Sequence, residues 1–107
     1  MTTAALLTVA SFGLAGPAAA ESLDGAYTGT VTGGPGPVGE RSTWVFTSCG
    51  PGCVQETSSN RGMLQLQGNT WTGMSDGCTL TIDNGSLVGA IACPGYAPLQ
   101  FQLTKAG

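Results

Sequence analysis

The chain has 107 residues and a net charge of −3, from six acidic and three basic residues, and it contains no histidine. This length is enough for one domain, and the acidic balance lacks the basic footprint of a nucleic-acid-binding protein. The absence of histidine excludes His-based general-base catalysis and the common catalytic triads. Composition therefore favours a small domain that contacts no nucleic acid.

Residues 1–20 have the pattern of a secretory signal peptide. An apolar stretch is followed by Pro17 and by an A-x-A cleavage pattern at 18–20, ahead of the first charged residue, Glu21. The stretch is shorter than the roughly 18 apolar residues needed to span a membrane. No Lys or Arg precedes it, which suggests that the natural start lies further upstream. We predict a secreted domain of residues 21–107, extracellular or at the cell envelope, with no membrane span after cleavage.

The four cysteines all lie in this mature part, at Cys49, Cys53, Cys78 and Cys93. An even number of cysteines in a small exported domain is typical of a disulfide framework, and four cysteines allow three connectivities. We favour the pairs 49–53 and 78–93. The alternative is a Cys₄ zinc site, but export to an oxidising compartment argues against it. Two disulfides would leave no free thiolate to act as a nucleophile.

Alternating apolar and polar residues predict about eight short β-strands. Side chains of a strand point to opposite faces in turn, and no window with helical spacing follows residue 20. The predicted strands are Ala26–Thr32, Arg41–Ser48, Cys53–Ser58, Gly62–Gln67, Thr70–Met74, Cys78–Ile82, Ser86–Ala92 and Pro98–Thr104. The fold class is therefore all-β.

Tight turns connect most of these segments, and Gly33–Pro37 is the longest loop signal. Asn84-Gly85 lies between two alternating strands and predicts a type I′ hairpin, in which both central residues need φ > 0. An antiparallel meander of eight strands can close into an up-and-down barrel, which removes exposed sheet edges. A two-sheet β-sandwich is the alternative. In either fold the predicted core is Tyr27, Val31, Trp44, Phe46, Val54, Leu64, Leu66, Trp71, Leu80, Ile82, Leu87, Ile91, Leu99, Phe101 and Leu103.

The segment from Trp44 to Cys53 has the pattern W-x-F-x-x-C-G-x-G-C. With G-x-Y-T at 25–28 and G-N-x-W at 68–71, it resembles a group of small exported proteins of mycobacteria and related actinobacteria. A looser version is similar to extracellular segments of some mycobacterial receptor kinases. The resemblance implies export and a role at or outside the envelope, and it carries over no catalytic or binding residue.

The remaining candidates for catalysis are carboxylates and one lysine, and each has a structural interpretation. Asp76 and Asp83 begin turns, and Glu40 and Glu56 are placed to pair with Arg41 and Arg61 at a surface. Lys105 lies near the chain terminus, where backbones are usually frayed. We predict that the protein is not an enzyme and that it uses no cofactor or metal.

Two functions remain, and elimination favours the first. The first is a protein-interaction module of the envelope or extracellular space, which presents loop 33–39 or the Cys49–Cys53 turn to a partner. The second is a small barrel for an apolar ligand or lipid, because eight strands can enclose one small ligand. Its candidate lining residues, which in the competing interpretation only fill the core, are Tyr27, Trp44, Trp71 and Phe101.

Overall fold

The computed structural model describes residues 23–58 and 62–106, so the predicted signal peptide lies outside the described residues. Eight strands pair antiparallel in chain order, and the last pairs with the first to close an up-and-down barrel. The predicted all-β barrel is confirmed, and the sandwich alternative is wrong. The strands are β1 (Gly25–Gly33), β2 (Arg41–Gly50), β3 (Cys53–Glu56), β4 (Gly62–Gln67), β5 (Thr70–Ser75), β6 (Cys78–Asp83), β7 (Val88–Ala92) and β8 (Leu99–Lys105). Over the described ranges there is no helix with the length and apolarity to cross a bilayer.

The turn between β6 and β7 is not the predicted type I′ hairpin. Neither Asn84 nor Gly85 has a positive φ, and the left-handed residue is Leu87, with φ 63°. The Asp83 carbonyl accepts the N–H of Leu87 at 2.9 Å. The Asp83 carboxylate accepts the N–H groups of Gly85 at 3.0 Å and Ser86 at 2.7 Å. Because Asp83 caps the backbone in this way, it selects a four-residue connection in place of the two-residue turn that Asn-Gly favours.

The φ signs of a type I′ turn occur instead between β5 and β6. Asp76 and Gly77 have φ 54° and 79°, and the flanking residues Ser75 and Cys78 are directly paired. The right-handed twist of the strands favours this two-residue geometry.

Protonation of Asp83 should destabilise the fold at acid pH. Hydrogen bonds lower the pKa of the Asp83 carboxyl below its ordinary value of 3.8, because they favour the charged form. The largest effect comes from the Ser86 N–H, and smaller ones come from the Ser86 hydroxyl and the Gly85 N–H. A lowered pKa in the folded state adds stability that is present above 3.8 and is lost as the pH falls through the lowered value. We therefore expect the difference in thermal midpoint between wild type and Asp83→Asn to be largest near neutral pH and to shrink as the pH falls below 3.8. Melting curves followed by circular dichroism measure this, and a difference that does not vary with pH would contradict it.

The barrel interior is filled by apolar side chains from the strands and from the segment before β1. The buried apolar residues are Leu23, Tyr27, Trp44, Phe46, Val54, Leu64, Trp71, Leu80, Ile82, Phe101 and Leu103. All of these except Leu23 were predicted from strand alternation. The other predicted core residues are only half-buried, namely Val31, Leu66, Leu87, Ile91 and Leu99.

Inward-facing glycines make room for the large rings of this core. A Cβ atom at Gly29 would lie 2.4 Å from Nε1 of Trp44, and one at Gly89 would lie 2.3 Å from Cζ of Phe101. Small barrels commonly alternate small and large interior residues, because eight strands enclose little volume. The rings of Trp44 and Phe101 therefore occupy space that two glycines leave open.

The two ends of the barrel differ. We call the end that carries the β1–β2, β5–β6 and β7–β8 connections the loop end, and the end where β1 begins and β8 finishes the terminal end. The terminal end is closed, since Leu23 is buried there with 1% of its surface exposed. Indole Nε1 of Trp71 also donates to Oδ1 of Asn84 at 2.8 Å, which ties the core to the β6–β7 turn. Leu23 and the β6–β7 turn therefore cover the core at the terminal end.

Candidate functional site

The loop end holds two adjacent depressions, which together we call the mouth. The larger has a volume of about 250 Å³ and the smaller about 180 Å³. Ile91 lines both. The larger depression has an apolar floor and a polar rim of Glu40, Arg41 and Ser42. The apolar side chains of that floor are Val31, Trp44, Ile91, Leu99 and Phe101.

Of the two long loops beside the mouth, the loop of residues 34–40 packs on the other loop and over part of the apolar floor, where a Cβ at Gly36 would lie 2.9 Å from Cδ1 of Leu99. The loop of residues 34–40 is held to the end of β1, where the Val31 carbonyl accepts the N–H of Gly39 at 2.8 Å. Its residue Gly34 lies against the loop of residues 93–98, since a Cβ there would be 2.2 Å from the Pro98 carbonyl oxygen. Val31, Ile91 and Leu99 were predicted to be core residues, and this arrangement leaves them half-buried.

Of the four predicted lining residues, the structure brings two to the mouth. Trp44 and Phe101 line the larger depression, and their rings stack with centroids 4.9 Å apart. Tyr27 packs its edge against Phe46 at 5.7 Å and has the Lys105 ammonium 4.9 Å above its ring. Neither Tyr27 nor Trp71 lines either depression. All four predicted residues are buried, so only exposed edges of Trp44 and Phe101 are available to a ligand.

Both predicted disulfides are confirmed, as Cys49–Cys53 and Cys78–Cys93, and no cysteine of the described ranges is free. The first bridge spans the β2–β3 turn at the terminal end. The second joins the start of β6 to the residue after β7 at the loop end, and Cys78 lines the smaller depression. The two predicted presenting features, loop 33–39 and the Cys49–Cys53 turn, therefore lie at opposite ends of the barrel.

Two large apolar side chains stand exposed on the loops beside the mouth. Val38 is 71% exposed and Tyr96 is 76% exposed. Met63 and Met74 are also exposed, on the outer faces of β4 and β5 and toward the loop end. Strand alternation predicted the outward direction of Met63. Tyr96 lies in an irregular loop, where no periodicity could indicate its exposure.

Glu56 is fully buried. The predicted pairing with Arg61 had placed it at the surface, so that prediction is wrong. Its Oε2 accepts the backbone N–H groups of Val45 at 3.1 Å and Ser58 at 3.2 Å, and it also accepts the Ser58 hydroxyl. Arg61 lies outside the described residues. Hydrogen bonding on this scale allows a carboxylate to be buried, and it fastens the end of β3 to β2.

A third depression, of about 420 Å³, is a wide groove on the outer wall above β7. The short side chain of Ala90 lies between Thr81 and Gln100 of the flanking strands. The groove is open to solvent.

The described ranges contain no cluster of metal ligands, since no three His, Cys, Asp or Glu side chains come together there. Searches with protein-family models, curated proteins and solved structures gave no match to this chain. The resemblance to exported actinobacterial proteins therefore stays a prediction. The candidate site is therefore the mouth, which has an apolar floor and a charged rim at the loop end of the barrel.

Proposed function

We propose that the protein is a secreted, non-enzymatic β-barrel that binds one small apolar ligand in the mouth. The observation that carries this proposal is the apolar depression of about 250 Å³ at the loop end of a barrel whose terminal end is closed. Elimination on sequence alone favoured an interaction module, and the mouth reverses that order. Ligand sites are usually preformed concave surfaces with an apolar lining and a few polar groups at fixed positions, and the mouth has both.

A ligand in the mouth would bury apolar surface on three half-buried aliphatic side chains, Val31, Ile91 and Leu99. Removing apolar surface from water contributes about 25 cal/mol for each Å². The loop of residues 34–40 covers part of this surface, since a Cβ at Gly36 would lie 2.9 Å from Cδ1 of Leu99 and 3.7 Å from Cγ1 of Val31. A ligand would contact the apolar surface that stays exposed. The rigid stacking of Trp44 on Phe101 keeps the floor in place before a ligand arrives, which lowers the entropic cost of binding.

The two disulfides support secretion. Disulfides persist in oxidising compartments and are rare in reducing ones, and both pairs formed here involve every cysteine of the chain. An extracellular or envelope location would place the barrel where small amphiphilic molecules and lipids are found.

A protein-interaction module remains the second candidate, and the exposure of Val38 and Tyr96 favours it. Aromatic residues are enriched at protein interfaces, and these two side chains lie beside the mouth. A protein partner at this end would cover them, whereas a small ligand would leave them exposed.

Binding of 1-octanol tests the leading proposal. In a Trp71→Phe background Trp44 is the only tryptophan, and its fluorescence should shift on titration because Trp44 lines the mouth. Ile91→Trp, read by calorimetry, should abolish binding, since Ile91 lines both depressions. The matched control is Val88→Trp, which places the same ring on the outer face of the same strand, where Val88 is 47% exposed.

Two outcomes would contradict ligand binding. One is a flat titration with folded wild type, and the other is an equal loss of binding in the Ile91→Trp and Val88→Trp variants. If Ile91→Trp fails to fold, Val31→Phe is the substitute, because Val31 lines the larger depression from a different strand.

A further inference from the structure

We propose that the mouth selects a short single-chain amphiphile with a cationic head group and discriminates against the corresponding carboxylate. The inference rests on the proposed function and adds the class of ligand. It is carried by the volume of the larger depression, by its apolar floor and by the charges at its rim.

The volume limits the length of the apolar chain. At about 30 Å³ for each water-sized group, the larger depression of about 250 Å³ holds about eight such groups. The smaller depression adjoins it at Ile91 and adds about 180 Å³. A single chain of about eight carbons fits the larger depression, whereas a two-chain lipid exceeds both.

The rim carries more negative than positive charge. Glu40 and Arg41 border the larger depression, and Asp76 borders the smaller one, so two carboxylates face one guanidinium. The neighbour of Arg41 in β2, Ser42, points to the inner face of the strand, where its hydroxyl accepts the indole N–H of Trp44 at 3.1 Å. Because successive side chains of a strand point to opposite faces, the Arg41 side chain leaves the backbone on the outer face of β2.

A carboxylate head at the mouth would therefore meet two like charges and one guanidinium. A cationic head would meet attraction at the same place, and the overall charge of −3 acts in the same direction by steering cations to the protein. The apolar chain supplies most of the affinity, and the rim decides between heads of equal chain length.

Titration with octylammonium, 1-octanol and octanoate at equal chain length tests this selectivity. At low ionic strength we expect octylammonium to bind most tightly and octanoate most weakly, with a difference of about tenfold between the two. In 1 M salt the difference should shrink toward equality, because ions screen exposed charges.

Three variants assign the effect to the rim. Glu40→Gln and Asp76→Asn should each narrow the difference between octylammonium and octanoate, and asparagine tolerates the left-handed φ of 54° at position 76. Asp24→Asn is the matched control, since it removes one charge at the terminal end and should leave the difference unchanged.

Each outcome has a separate meaning. Equal binding of the three probes, or tightest binding of octanoate, would overturn the selectivity and leave the ligand barrel standing. The selectivity proposal would also be wrong if Asp24→Asn reduced the difference in affinity between octylammonium and octanoate as much as Glu40→Gln does. The charges at the rim would then have no special role. If no probe binds, the proposed function itself fails.

Discussion

Replacement of Cys78 and Cys93 by serine should lower the thermal midpoint of unfolding more than replacement of Cys49 and Cys53. A disulfide stabilises a protein mainly by restricting the unfolded chain, and the restriction grows with the length of the closed loop. The 49–53 bridge has a sequence separation of 4 and the 78–93 bridge a separation of 15. The loop-entropy relation gives about 2 kcal/mol for the first and about 3 kcal/mol for the second.

Differential scanning calorimetry of the two double variants measures this ranking. For a domain of this size each kcal/mol shifts the midpoint by about 4–8 °C, so the two variants should differ by several degrees. Loss of the 78–93 bridge should also weaken octanol binding, because Cys78 lines the smaller depression. The 49–53 variant is the control for that second effect, since its bridge lies at the terminal end. A larger midpoint loss in the 49–53 variant would contradict the ranking and would make the β2–β3 turn a main support of the core.

Strand alternation was sufficient to predict the fold because a closed barrel has only two faces. Every inward position of β8, Leu99, Phe101 and Leu103, could be read from its sequence, and the same period applies around the barrel. The strand limits differ from prediction by at most two residues. The two disulfides follow from the same pattern, since both join segments that neighbour each other in the barrel.

The features that escaped prediction depend on hydrogen bonds between carboxylate side chains and the backbone. The Asp83 carboxylate changes the form of the β6–β7 turn, and propensity at Asn84-Gly85 contains no information on that competition. Glu56 is buried with its carboxylate accepting the backbone N–H of Val45, in another strand, and that of Ser58. Only folding brings Val45 to Glu56, whereas the hydrogen bonds of Asp83 are local and compete with the turn that Asn-Gly favours.

The mouth was missed for a related reason. Alternation assigned Val31, Ile91 and Leu99 to the core, and it could not show that the loops beside them would leave them half-buried. That outcome depends on Gly34 packing against Pro98, a contact between two irregular segments. Two of the four predicted lining residues, Trp44 and Phe101, therefore lie in the floor of the larger depression, whereas the opening above them was not predicted.

Gly89→Ala should destabilise the barrel strongly although it adds only one methyl group. Gly89 does not have a positive φ, so its backbone accepts any residue, and its role is to leave space. A Cβ there would lie 2.3 Å from Cζ of Phe101 and 2.9 Å from the Thr81 carbonyl oxygen. Overpacking of this kind costs about 1–3 kcal/mol, and the carbonyl cannot move without disturbing the β6–β7 pairing.

Gly85→Ala is the matched control, since Gly85 also lacks a positive φ and its Cβ would meet nothing nearer than 3.4 Å. It should be neutral or slightly stabilising, because alanine reduces the entropy of the unfolded chain. Chemical denaturation measures both free energies of unfolding, and equal values for the two variants would contradict the steric account.

A double-mutant cycle with Phe101→Leu separates the two clashes. If the ring of Phe101 is the main obstacle, Gly89→Ala should cost less in the Phe101→Leu background than alone, by an amount beyond the roughly 0.5 kcal/mol within which independent sites add. If the cost is the same in both backgrounds, the Thr81 carbonyl is the obstacle. Phe101 stacks on Trp44 and lines the mouth, so a ring displaced by the added methyl group should also reduce octanol binding, whereas a displaced carbonyl should not.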